Sequence, residues 1–449
     1  MKLLSKTLGL LSLSSLLIGT PLQTQASEPI RNVILMIGDG MGPQQIGLLE
    51  SYARLAPNSI YQGQPTAMST FMKQGKRLTL SMTHPEDAIV VDSACSATHL
   101  ATGGMPSAGE VIGIDAQGYS RETVLEKSMR LGKATGLVTD TRMTHGTPGA
   151  FASHVPHRSM ENAMAVQMME LGPDVLLGGG IRAWIPKSVN DKGDIYKKVR
   201  DITGNTIKIK SKRKDDRNLL LEAQENGYQL AFNRNQLDEI EGGKVLGLFA
   251  YSGMMDGIAY TASKQSKERV EPSLKEMTIK ALDILSQDPD GFFLMVEGGQ
   301  IDWAGHRNDV AYMLHELLKF DEAIAAVHEW VKDRDDTLVV ITADHETGAF
   351  GFSYKASDLP KAEKREGPAF ANRDYKPNFN FGPLNLLDKI YNQKVTYKAM
   401  LAQFNKLDKA EQKPSVLAKI ISDNTGFTVT PEQGKRILET VPNPNYDPE

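Results

Sequence analysis

Residues 32–40 have the sequence NVILMIGDG, in which the run Asn32–Ile37 leads directly into a glycine–aspartate–glycine turn. The apolar residues are continuous rather than alternating, which is typical of a strand buried on both faces of a parallel sheet. Other runs have the same form and end in small or acidic residues: Ala134–Val138, Val175–Leu177, Phe292–Val296 and Thr337–Ile341. We therefore predict a buried parallel strand at each of these positions.

Helical patterns separate these runs, with apolar residues near helical spacing at Arg121–Leu131, Met160–Leu171, Leu274–Ser286 and Asp309–Lys332. The alternation predicts an α/β fold, a central and mostly parallel sheet with helices on both faces. In such sheets, ligands bind at the carboxyl ends of the strands. The predicted strand ends are followed by four candidate ligands, namely Asp39, Glu297, Asp344 and His345.

The first 26 residues have the features of a secretory signal peptide. Lys2 and Lys6 precede the apolar core Leu8–Ile18, which is too short to span a bilayer, and a cleavage position follows at Ala26. No later stretch is long and apolar enough for a membrane helix. We therefore expect a mature protein that is periplasmic or secreted and has no membrane anchor.

Composition and charge narrow the class of protein further. Of the 449 residues, 40% are hydrophobic and 24% charged, as in ordinary globular proteins, and the formal net charge of −4 argues against nucleic acid as a main partner. Cys95 is the only cysteine, which excludes an intrachain disulfide.

We predict a core over residues 27–350 and an inserted cap or crown over 351–449. The Lys- and Arg-rich segment 187–217 favours a solvated loop, with an anion-binding patch as the alternative.

The segment Val90–Thr98, with the sequence VVDSACSAT, is the strongest local candidate for chemistry. We predict a strand that ends before Ser93 and a helix of small residues that begins there. A helix N-terminus offers free N–H groups and a dipole that favour an anion. From spacing alone, Ser93 as an ordinary N-cap is the simpler interpretation.

Two further segments carry candidate ligands. Asp302 and His306 are four residues apart, so a helix would place both on one face, an arrangement that suits Zn²⁺. A capped helix with a surface histidine has the same pattern. Downstream of the sequence THGTP, which contains His145 and Thr147, Arg158 could hold two phosphate oxygens or form a surface ion pair.

Together these motifs resemble the alkaline phosphatases. In chain order they are GDG around Asp39, VVDSACSAT around Ser93, THGTP with Arg158 downstream, VEGGQIDWAGH over residues 296–306 and TADHETG over residues 342–348. They span roughly Asn32 to Gly348. Trp303, between the ligand candidates, and the long region after Gly351 are similar to the marine Vibrio-type members.

The resemblance implies a phosphomonoesterase in which Ser93 is the nucleophile and becomes phosphorylated, Arg158 holds the phosphoryl group and Trp303 borders the pocket. It also implies two Zn²⁺ ions and one Mg²⁺ ion, the first zinc on Asp39, Asp344 and His345, the second on Asp302 and His306, and the magnesium on Asp39, Thr147 and Glu297 with His145 nearby through water. Small-molecule phosphomonoesters are the implied substrates, and a homodimer is the implied assembly.

One expected ligand is missing from the pattern. The family has a third histidine on the second zinc, but this sequence has no histidine after His345. A catalytic zinc normally has three protein ligands. We therefore expect a segment beyond Glu449 to supply it. The alternatives to a phosphomonoesterase are a phosphodiesterase of the same superfamily and a non-catalytic protein that binds metal or phosphate.

Overall fold

A computed structural model describes residues 29–75, 77–103 and 107–439, so the predicted signal peptide lies outside the described residues. Seven strands, β1 to β7 in chain order, form one sheet: Asn32–Gly38, Ala134–Arg142, Val175–Gly179, Gln229–Ala231, Val245–Leu248, Phe292–Gly298 and Thr337–Ala343. Their spatial order is β4-β5-β3-β2-β6-β1-β7, and every pair is parallel. The predicted α/β fold is confirmed, and the five predicted strands are present.

Helices lie between the strands of the sheet and after its last strand. In chain order α1 to α17 are Pro43–Leu55, Ala67–Gln74, Ser93–Thr102, Val124–Arg130, Gly146–Ala152, Glu161–Leu171, Asp194–Ile202, Leu219–Glu225, Arg234–Asp238, Gly257–Ser263, Leu274–Leu285, Gln300–His306, Val310–Val331, Asn385–Tyr391, Tyr397–Asn405, Pro414–Asn424 and Pro431–Leu438. Two 3₁₀ helices, Ile181–Ala183 and Lys187–Asp191, follow β3. Across the described ranges, no helix combines the length and apolarity needed to cross a membrane.

The sheet lies between two apolar layers, because successive residues of a strand point to opposite faces. In β6, Leu294 belongs to the layer that includes α1, α11 and α13, whereas Met295 belongs to the layer of α4, α5 and α6. Strands β2 and β6 are buried along their whole length. At the edge of the sheet, β7 is only partly covered, and Leu338 is 47% exposed.

Three predictions need correction or detail. The strand expected before Ser93 is wrong: residues 77–92 have no regular structure, and Ile89 and Val90 are 96% and 82% exposed. Two apolar residues without a partner strand cannot form a ladder. The predicted loop at 187–217 contains α7, and the region after Gly351 contains helices α14 to α17 and a hairpin of β8 (Glu363–Lys364) and β9 (Asp374–Tyr375).

Candidate active site

Parallel register brings the predicted ligands together at the carboxyl edge of the sheet. Gly38, the last residue of β1, is paired with Gly298 of β6 on one side and with Ala343 of β7 on the other. The residues that follow or precede these positions therefore meet: Asp39, Glu297, Asp344 and His345. Asp39, Glu297 and Asp344 are buried, and the Asp39 N–H donates to the Gly298 carbonyl at 3.2 Å.

Ser93 is the first residue of α3 and is 3% exposed. The N-cap is Asp92, whose carboxylate accepts from the N–H groups of Ala94 and Cys95 at 3.3 and 3.2 Å, so the interpretation of Ser93 as the cap is wrong. The Ser93 side chain is therefore not occupied by helix capping. Its Oγ lies 3.2 Å from Asp39 Oδ1 and 3.2 Å from His345 Nε2.

The carboxylates at this edge are held at an electrostatic cost. Burial and the neighbouring carboxylates of Asp344, Asp302 and Glu297 raise the pKa of Asp39 well above its usual value. Burial also raises the pKa of Glu297 to about 8. Asp39 Oδ2 and Glu297 Oε1 are buried and accept no hydrogen bond from the described residues. Such a cluster is stabilised by cations, and carboxylate oxygens are ligands for divalent ions.

Two groups of side chains could each hold a divalent ion. Ligand atoms of Asp39, Asp344 and His345 lie within 4.8 Å of one another, and so do those of Asp39, His145 and Glu297. Asp39 belongs to both groups, so the two positions are adjacent. The resemblance implied that His145 acts through water, whereas here its ring lies within direct ligand reach.

Asp302 and His306 face each other on α12, with Oδ1 and Nε2 3.4 Å apart. The Thr347 hydroxyl donates to Asp302 Oδ1 at 2.5 Å, which links α12 to the segment after β7. No third His, Cys, Asp or Glu of the described residues completes a compact group with this pair. The 3.4 Å separation places the two side chains close enough to share an ion, which would then have two protein ligands among the described residues.

Arg158 lies beside the nucleophile candidate. Its Nη1 donates to Asp92 Oδ2 at 2.9 Å, and its Nη2 lies 3.1 Å from His145 Nε2. Burial would raise the pKa of Asp92, but Arg158 and two backbone N–H groups bring that pKa below its usual value. Of the two roles considered for Arg158, the ion pair is therefore present in the structure. Its partner is Asp92, so the pair lies next to Ser93. Trp303 stands edge-on to the His145 ring, with centroids 5.9 Å apart.

A buried ionic triad that the sequence did not reveal supports α12. The Asp140 carboxylate accepts from the N–H groups of Gly299 and Gln300, at 2.8 and 3.2 Å, where α12 begins. Lys319 Nζ lies 3.2 Å from Asp140 and 2.7 Å from Glu316. All three side chains are at most 5% exposed. The triad therefore fixes the start of the helix that carries Asp302 and His306.

A family model described as alkaline phosphatase matches residues 30–416. The chain belongs to the alkaline phosphatase family. This confirms the family that the motifs indicated. Alkaline phosphatase 4 of Bacillus subtilis is 33% identical over 432 residues, which cover 92% of this chain and 84% of the relative. Two further alkaline phosphatases, from B. subtilis and Saccharomyces cerevisiae, are matched over 62% and 56% of their own lengths.

Solved alkaline phosphatases have the same fold. The cold-active alkaline phosphatase of a psychrophilic Shewanella superimposes with a TM-score of 0.65 at 27% identity, covering 91% of this chain and 83% of the neighbour. A variant of the TAB5 alkaline phosphatase, solved with Mg bound in its M3 site, superimposes with a TM-score of 0.57 at 26% identity, covering 79% and 88%.

A first prediction for this alkaline phosphatase concerns Gly40, whose φ of +68° lies in the left-handed region. An added Cβ atom would come within 2.8 Å of the Asp302 Cα and 2.9 Å of the Thr347 hydroxyl. Gly40→Ala should therefore weaken divalent-metal binding at this edge at least about tenfold, in addition to the backbone cost of about 1–2 kcal/mol that any L-residue meets there. Competition with a chromophoric chelator measures the metal affinity.

The matched control is Gly103→Ala, because Gly103 has a φ of +58° but no atom of the described residues lies within 4 Å of an added Cβ, leaving out its own chain neighbours and helix backbone. That variant should lose similar stability and keep its metal affinity. Equal metal affinities in the two variants would contradict the close packing of β1, α12 and the segment after β7.

A second prediction concerns Lys319→Met, which leaves the buried Asp140 and Glu316 carboxylates without a cation. Removal of one partner from a buried ion pair typically costs about 3–5 kcal/mol, so chemical denaturation should show a loss of that size. Adding Glu316→Gln should recover part of it, since one of the two carboxylates is then gone. If Lys319→Met alone is as stable as the wild type, the triad is not charged.

Proposed function

We propose that this chain hydrolyses phosphomonoesters in two displacements, with Ser93 as the nucleophile. The observation that carries the proposal is the position of the Ser93 hydroxyl, 3.2 Å from both Asp39 and His345. These residues belong to a compact group of metal-ligand atoms at the edge of the sheet. Membership of the alkaline phosphatase family supports the same reaction.

In the first displacement, Ser93 Oγ forms a bond to phosphorus as the bond from phosphorus to the ester oxygen breaks and the alcohol leaves with a proton. Water then attacks the phosphoserine, the bond from phosphorus to Oγ breaks, and inorganic phosphate is released. The Ser93 hydroxyl faces the Asp39 carboxylate, which can hold its proton. The net reaction consumes one water for each phosphate released.

The residues around Ser93 suit a phosphoryl group. Two N–H groups of the planar Arg158 guanidinium can donate to non-bridging oxygens, and the positive end of the α3 dipole lies at the same place. Trp303 and His145 form one wall of the site. Donors held in a buried site stabilise developing charge more strongly than they would in water.

We further propose two Zn²⁺ ions and one Mg²⁺ ion. Imidazole and carboxylate ligands suit zinc at Asp39, Asp344 and His345 and at Asp302 with His306. Oxygen ligands suit magnesium at Asp39, Thr147 and Glu297, and His145 lies close enough to join them. When bound, such ions supply Lewis-acid stabilisation and neutralise the carboxylates. The Mg in the M3 site of the TAB5 variant supports the magnesium assignment.

The decisive measurement is hydrolysis of p-nitrophenyl phosphate at alkaline pH with Zn²⁺ and Mg²⁺. We expect turnover that chelator abolishes and that Ser93→Ala lowers at least about a thousandfold, because the hydroxyl that forms the phosphoryl intermediate is then removed. Acid quenching should trap phosphoserine in the wild type only. The control Ser128→Ala, in α4, should keep full activity.

The rival functions give different outcomes in the same assay. Faster release from bis(p-nitrophenyl) phosphate than from the monoester would favour a phosphodiesterase of the same superfamily. Metal and phosphate binding without turnover or phosphoserine would favour a non-catalytic binding protein.

We also propose that this phosphomonoesterase is exported and acts as a homodimer. The signal-like residues 1–26 support export, and the resemblance to the family supports the homodimer. N-terminal sequencing of the mature protein should begin at Ser27, and light scattering should give the mass of two chains. An N-terminus at Met1 or the mass of one chain would contradict these two points separately.

A further inference from the structure

The segment 208–214 presents four lysines to solvent. Lys208, Lys210, Lys212 and Lys214, called the lysine row here, are all exposed, whereas the residues between them are buried or half-buried, namely Ile209, Ser211 and Arg213. The surrounding segment 187–217 carries eleven Lys and Arg against five Asp, in a chain whose net charge is −4. Positive charge is thus concentrated on one local surface.

These four charges are not neutralised by the fold. In the ranges that the structure covers, no carboxylate lies within 4.0 Å of any ammonium group of the lysine row, although neighbouring arginines are paired. Arg213 binds Asp215 at 2.7 Å, and Arg217 binds Glu222 at 2.7 Å. A solvated face usually mixes opposite charges, and here the carboxylates of Asp215 and Glu222 are paired with arginines instead of with the lysine row.

Backbone and side-chain hydrogen bonds hold the lysine row in place. The Lys212 N–H donates to the Arg182 carbonyl at 2.8 Å, the Ser211 hydroxyl to Ile185 at 2.7 Å, and Arg213 Nη1 to Ala183 at 3.0 Å. The acceptors belong to the turn that follows β3, at the same edge of the sheet as Ser93. The lysines therefore project from a fixed support, so binding an anion there orders little additional backbone.

A short path connects the lysine row with the candidate active site. Lys208 Nζ lies 4.8 Å from the centroid of the Tyr251 ring, which also faces Arg182 at 5.9 Å. Two residues further along, Gly253 lies so close to the Trp303 ring that no Cβ atom would fit. Because two residues span at most about 7 Å, Tyr251 and Gly253 join the first lysine to the wall of the site.

We propose that the lysine row is a subsite for linear polyanions that end in a phosphomonoester, with the terminal phosphate at Ser93 and the following anionic groups along the lysines. This rests on the proposed function. The lysines are two residues apart, at most about 7 Å, and each is a point charge suited to phosphate without regard to sequence. A small monoester has no further anionic groups to place along the lysine row.

A 5′-phosphorylated oligothymidylate of about ten residues is a defined probe, since it has one terminal monoester and a chain of anionic diesters. The variant Lys210→Gln/Lys212→Gln/Lys214→Gln is compared with the charge-matched control Lys398→Gln/Lys406→Gln/Lys409→Gln, whose lysines are exposed on and after α15. We expect kcat/KM for the oligomer to fall at least about tenfold at low salt in the first variant only. Activity towards p-nitrophenyl phosphate and thymidine 5′-monophosphate should not change.

Binding of the same oligomer without its 5′-phosphate, followed by fluorescence anisotropy, tests the lysine row independently of catalysis. Loss of three phosphate contacts should make the plot of log affinity against log salt shallower by about 2. If no monoester is hydrolysed but this difference is seen, the proposed function fails and the subsite stands. Equal binding by wild type and variant, or an equal loss of activity on all substrates, overturns the subsite.

Discussion

Repulsion among buried carboxylates at one edge of the sheet is the constraint on which the site depends. Asp39 is fully buried, and Asp344, Asp302 and Glu297 all act to raise its pKa. The protein tolerates this cluster because β1, β6 and β7 fix the three strand ends in register. The energy of a large hydrophobic sheet therefore holds together charges that would otherwise separate, and cations can then bind to a site that is already formed.

Two supports outside the sheet complete this arrangement. Asp92 caps α3 and leaves the Ser93 hydroxyl directed at Asp39 and His345. On the other side, Asp140 accepts from the N–H groups at the start of α12, so the candidate ligands Asp302 and His306 are positioned by β2, a strand two positions away from β1. In both cases an aspartate satisfies helix N–H groups, which otherwise have no partner within their helix.

Sequence patterns predicted the fold well where elements were long and continuously apolar. β1 and β6 fall within a residue or two of their predicted ends, but β4 and β5, with sequences QLA and VLGL, are too short to be separated from loops. Each ligand candidate was ambiguous alone, and only the order of the motifs joined them. The pairing of Asp140 with Lys319 could not be predicted, because it depends on how α13 packs under the sheet edge.

The contact between Arg158 and Asp92 has a consequence for turnover. An arginine that grips a phosphoryl group also retains the inorganic phosphate that remains after hydrolysis, and release of that product limits many efficient enzymes. Asp92 already accepts a hydrogen bond from the Arg158 guanidinium at 2.9 Å. If Arg158 holds the phosphoryl group as proposed, each departing phosphate leaves behind a satisfied ion pair rather than an exposed cation, and this ion pair lowers the barrier to emptying the pocket.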